Sequence, residues 1–168
     1  NPREITAIKQ SGAAISFCPS SNLFLGSGLF PYQEMKAAGI PVALASDIGA
    51  GTSLSLLRNQ SDAYKIGQLQ GSSLNAFEAS YLCTQGAAVA MGLEDKIGNL
   101  NPGSEADFIV IDFDAFPMLS QRVDRCTTLA EKLFALMILG DERVIATTYV
   151  HGRQVYSRSN KLPTIKRI

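Results

Sequence analysis

Histidine is nearly absent: His151 is the only one in 168 residues. A metal centre built on imidazoles therefore cannot be complete within this chain. Cysteine is sparse too, with Cys18, Cys83 and Cys126 far apart and no CxxC pair. An odd, scattered set fits buried or free thiols in a reducing, cytoplasmic setting better than a disulfide frame. Neither charge sign is in excess, with 15 basic residues against 15 acidic ones. That balance leaves no basic field to draw nucleic acid. The local cluster of charge at residues 161–167 reads as a solvated end rather than a binding patch. No apolar run approaches the length of a membrane span. An initiator Met is also missing; the chain opens on Asn1-Pro2 and moves at once into a helical pattern. Such an opening reads as a cut through a larger protein.

What is present suffices for an ordinary core, since 46% of the residues are hydrophobic. Asn1 can cap a short helix with Pro2 at its first position, ending near Ser11-Gly12. Residues 13–18 read as a short buried strand stopped by Pro19, and residues 20–28 as a loop of small residues. A helix over 31–38 leads into a second apolar strand, residues 41–46. Residues 53–69 form the next helix, with Leu54, Leu57, Tyr64 and Leu69 as its apolar positions. A longer helix is expected over 75–91, with Phe77, Tyr81 and Ala88 on one side. Alternation of this kind predicts an α/β fold with a parallel sheet covered by helices. The character then changes. Residues 108–111 read as a strand, Thr128 and Glu131 as a capping box ahead of a helix, and His151-Gly152 as a tight hairpin turn.

The residue with most chemical promise is Asp47, at the end of the second apolar strand and ahead of Ile48-Gly49-Ala50-Gly51. A carboxylate there stands where barrel enzymes place their chemistry. Gly49 and Gly51 allow close backbone approach to a ligand, and Thr52-Ser53 supplies helix-capping residues, so Asp47 is not needed as a cap. The competing reading is an Asx-turn that orders the glycine loop. For residues 19–28, approach to a ligand stands beside a simple connection with Leu23 and Phe24 tucked into the core. Asn22 is its polar residue most suited to a specific task. Cys18-Pro19 does not make a nucleic-acid deaminase motif, which requires Pro-Cys-x-x-Cys with His-x-Glu. His151 reads as a turn residue, and Cys83 and Cys126 as packing residues.

Residues 17–30 (FCPSSNLFLGSGLF), residues 46–53 (SDIGAGTS), and Gly98 with residues 102–110 (PGSEADFIV) together resemble the amidohydrolase superfamily, and within it the guanine deaminase family. The resemblance covers nearly the whole chain in order. It implies the C-terminal part of a (β/α)8 TIM-like barrel over residues 1–100. Strands of a small β-sandwich, with one helix and a hairpin, would follow over 101–168. It also implies one zinc ion per active site, with Asp47 as a metal ligand and as the base toward water. The reaction implied is hydrolytic deamination of guanine to xanthine and ammonia, by a homodimer acting on a small purine. The family's HxH pair, further His ligands and Glu proton shuttle have no counterpart here, and a complete barrel needs roughly 250 residues. The chain alone is therefore expected to be inactive and to hold zinc poorly. Two alternatives remain: a relative acting on another aminated or chlorinated heterocycle, and a non-catalytic assembly module.

Overall fold

The computed structural model describes residues 2–159; the expected Asn1 cap and the charged tail at 161–167 lie outside them. Helix α1 (Pro2–Ser11) starts with proline at its first turn, where the missing N–H costs nothing. Strand β1 (Ile15–Phe17) pairs in parallel with β2 (Val42–Leu44), with Ile15 opposite Val42 and Phe17 opposite Leu44. Parallel pairing demands a crossover, and two helices supply it: α2 (Pro19–Leu25) and α3 (Tyr32–Ala37).

The expected loop at 20–28 is thus largely helix. Pro19 sits at the first helical position, and Gly26 closes the helix in the left-handed region at φ 68°, a conformation glycine adopts without a Cβ penalty. Leu23 and Phe24 are 44% and 67% exposed, so of the two readings of this segment the one that tucks them into the core fails. Helix α4 (Leu56–Leu69) also departs from its expected stripe. Leu54 and Leu69 are exposed, whereas Asn59, Ala63 and Ile66, spaced four and three apart on one face, are buried. The single helix expected over 75–91 is two, α5 (Ala76–Leu82) and α6 (Gln85–Met91). Cys83 and Thr84 break it, and a Cβ at Gly86 would lie 2.7 Å from the Tyr81 ring. Glycine there permits the tight junction. Phe77 and Tyr81 are exposed, and the buried face is Ala76, Ala79 and Leu82.

The first core gathers Phe17, Ile40, Val42, Leu44, Ile66, Leu82 and Met137. Beyond it, β3 (Phe108–Ile111), β4 (Ile145–Val150) and β5 (Arg153–Ser157) form an antiparallel sheet in the order β3-β4-β5. Helix α7 (Pro117–Val123), unforeseen in the sequence, again starts on proline. Helix α8 (Leu129–Leu139) carries the expected capping box between Thr128 and Glu131. Its Met137 joins the first core, while Ala135 and Leu136 join a second with Leu119 and Val144. The hairpin turn between β4 and β5 has positive φ at both His151 (51°) and Gly152 (70°), as a type I′ turn requires. Among the described residues no helix is long and apolar enough to cross a membrane.

Candidate active site at the end of the parallel strands

Pairing of the parallel strands runs one residue past β2, where the Ala45 N–H donates to the Phe17 carbonyl at 2.9 Å. The chain then turns sharply at Asp47, whose φ is 45°. Left-handed backbone is uncommon outside glycine, although Asp tolerates it better than most residues. The turn is closed by the Ala50 and Gly51 N–H groups, which donate to the Asp47 carbonyl at 3.1 and 2.5 Å. Gly51 is indispensable to this geometry: a Cβ there would lie 1.7 Å from the Ser46 carbonyl oxygen. The close approach it permits is to the chain's own backbone at Ser46 and Asp47. Of the expected capping residues, Ser53 accepts from the Ser55 N–H at 3.1 Å, and Ser55 is the N-cap of α4. Asp47 plays no part in that cap, which removes one structural explanation for a carboxylate here.

Asp47 is exposed at the mouth of the strand pair. Its side chain is nevertheless held, because the Ser21 hydroxyl of α2 donates to Oδ2 at 2.7 Å. Among the described residues no protein hydrogen bond reaches Oδ1. Ser20, next to it in the chain, donates instead to Asn59 Oδ1 at 2.9 Å, and Asn59 Nδ2 donates to the Ser55 carbonyl at 3.1 Å. Asn59 is fully buried, so these bonds satisfy a polar group that would otherwise be costly to bury. Sequence reasoning missed all three residues. Consecutive serines after a proline read as local turn formers, and nothing in one sequence joins positions 26 or 39 residues apart. No hydrogen bond of the Asn22 side chain accompanies them among the described residues.

The remaining candidates sort by surroundings. Burial pushes the Cys18 thiol above its usual value; a hydrogen bond with Ser16 partly offsets this, and the nearby Asp47 charge adds to it. Cys83, pushed up to about 11 by burial, accepts from Gln60 Nε2 at 3.3 Å. In both cases burial disfavours the thiolate, the nucleophilic form. All three cysteines are free. His151 is committed to its turn, with Nε2 3.1 Å from Glu105 and its N–H donating to Asp107 Oδ1 at 2.7 Å.

A carboxylate with one oxygen tied back and the other open fits one ligand position of a zinc ion. A whole centre is not here: among the described residues no group of three His, Cys, Asp or Glu could hold a metal.

Comparison with known proteins bears on the family and on the extent of the chain. The Amidohydrolase family model matches residues 1–155. Guanine deaminase of Escherichia coli is 46% identical over 157 residues, covering 94% of this chain and 36% of that protein. Its solved structure superposes with a TM-score of 0.92, over 94% of this chain and 37% of that one. The crystal structure of guanine deaminase from Bradyrhizobium japonicum gives 0.86 at 30% identity, over 95% of this chain and 41% of that one. That of guanine deaminase from C. acetobutylicum, with bound guanine in the active site, gives 0.79 at 31% identity, over 93% and 37%. The fold class is therefore α/β, part of a TIM-barrel amidohydrolase. The chain spans little more than a third of the length of the curated guanine deaminases it matches.

Proposed function

The chain belongs to the amidohydrolase family, and from that premise we propose that it is the C-terminal portion of a zinc-dependent guanine deaminase. Residues 1–100 would supply the last barrel strands and helices, and residues 101–168 the return to the small sandwich. Asp47 carries this reading, as a carboxylate at the exit of a parallel strand with one oxygen fixed and the other available. In the reaction, water adds to the ring carbon bearing the exocyclic amine. The C–N bond then breaks, and xanthine and ammonia leave. The chemistry a bound zinc ion supplies is acidification of water, whose pKa falls from about 15.7 to about 7. Asp47 would hold one ligand position of that ion, Oδ1 being the oxygen its Ser21 bond leaves open. As a base it accepts the proton of the attacking water and passes it toward the departing amine. The Ser21 bond keeps the carboxylate facing the strand exit while it does so. The His ligands and the acid that protonates the ring nitrogen come from residues outside this chain. Homodimerisation is proposed from family resemblance alone, and a cytoplasmic setting from that resemblance together with the scattered, unpaired cysteines.

The test is turnover by the polypeptide at the length of its relatives, assayed for xanthine with guanine and for ammonia release with adenine and a chlorinated triazine. Guanine should be strongly preferred; preference for either competitor would overturn the substrate assignment. The 168 residues alone should show no turnover and no tight zinc, since one carboxylate cannot make a stable site.

A further inference from the structure

We infer that Ser21 is a positioning residue for Asp47, and that the consecutive Ser20-Ser21 pair divides two tasks between neighbouring side chains. The inference rests on the metal-ligand reading of Asp47. Successive residues on a helix point about 100° apart, so one short helix can address two different elements. Ser20 turns toward α4, where it closes the buried Asn59 node. Ser21 turns toward the end of β2, where its hydroxyl meets Asp47 Oδ2 at 2.7 Å. Ser21 is only 3% exposed, so its direction is set by packing and little solvent competes for its proton.

A serine hydroxyl has one proton to give. Donated to Oδ2, it fixes the rotation of the carboxylate and leaves the lone pairs of Oδ1 open. An exposed carboxylate on a left-handed turn would otherwise sample several side-chain rotations, only some of which face a shared ion. Outer bonds of this kind orient a ligand, and their loss typically weakens metal affinity about 10- to 100-fold. The Ser20 bond anchors the helix that carries Ser21. Removing it should loosen α2 against α4 while leaving a hydroxyl in place to reach Asp47.

The experiment measures zinc affinity by chelator competition, with melting temperature alongside, on the polypeptide at the length of its relatives. The variants are Ser21→Ala, Ser21→Thr, Ser21→Val, Ser20→Ala and Asp47→Ala. Ser21→Ala should bind zinc about 10- to 100-fold more weakly at a nearly unchanged melting temperature, and Ser21→Thr should recover most of that loss. Ser20→Ala should lower the melting temperature and keep the parent zinc affinity. Should the alanine variant fail to fold, Ser21→Val takes its place: valine keeps the branched shape of threonine but has no proton to give, so affinity should again fall. Parent affinity in Ser21→Ala or Ser21→Val, with zinc lost in Asp47→Ala, overturns the role of Ser21 and leaves Asp47 standing. Parent affinity in Asp47→Ala overturns both.

Discussion

Asp47 and His151 are the two non-glycine residues with positive φ among those described, and each sits at a turn next to a strand. Their surroundings differ. His151 is bracketed by Glu105 on its ring and by Asp107 on its N–H, so the acids nearby hold the turn and leave the imidazole committed. Asp47 has one hydrogen bond to its side chain, from a serine on another element, and a second oxygen that no protein hydrogen bond reaches among the described residues. Other acids are paired with cations in both regions. In the antiparallel part, Asp141 is buried and gripped by Arg143 and Arg58, and Asp112 pairs with Arg158. In the parallel part, Glu78 pairs with Lys36 and Asp62 with Lys65, so Asp47, held by a serine alone, stands apart from the paired acids of its own region. Strain at a turn is thus no sign of function by itself; what matters is whether the strained residue's side chain is already satisfied.

Substitutions at the two turns should sharpen this contrast. Asp47→Ala in the polypeptide at the length of its relatives should lower kcat/KM for guanine by about 10²–10⁴-fold, the range for a lost acid–base group, with zinc content falling alongside. Gly51→Ala comes next. Its Cβ would collide with the Ser46 carbonyl and push Asp47 out of place. A misplacement of about 1 Å can cost about 10²-fold in rate, so kcat should drop by that order while circular dichroism stays native. In the antiparallel region the expected effect is on stability and depends on pH. Hydrogen bonding from Arg143 holds the Asp141 carboxyl below the usual carboxylate range. Its contribution is therefore present above the unfolded value of about 3.9 and is lost as pH falls through the lower folded value. Melting temperature against pH should show a loss below about pH 4 that is reduced in Asp141→Asn. The smallest change is expected at His151→Asn, because Asn accepts left-handed backbone. Stability should stay within about 0.5 kcal/mol, with zinc content and guanine turnover unaltered.

Local signals made much of the frame legible. The two apolar runs became β1 and β2, the Thr128–Glu131 pattern became a capping box, and His151-Gly152 became a hairpin turn. Asp47 was visible as an acid at a strand end. What escaped depends on contacts distant in sequence. Ser20, Ser21 and Asn22 are indifferent helix formers; α2 exists because Pro19 starts it and Ser20 docks on Asn59. Asn59 itself reads as a solvated helix residue until its partner is known. The α5–α6 break rests on Tyr81 packing over Gly86, which periodicity cannot reveal. The partner of Asp47 was hidden for the same reason.

The most direct test of the central claim is a crystal structure of the zinc-loaded polypeptide at the length of its relatives, read for the distance from Asp47 to the ion. The account predicts Oδ1 in the coordination sphere at about 2.0–2.2 Å, with Oδ2 still accepting from Ser21. An ion fully coordinated by other residues, with the Asp47 carboxylate out of reach, would contradict it.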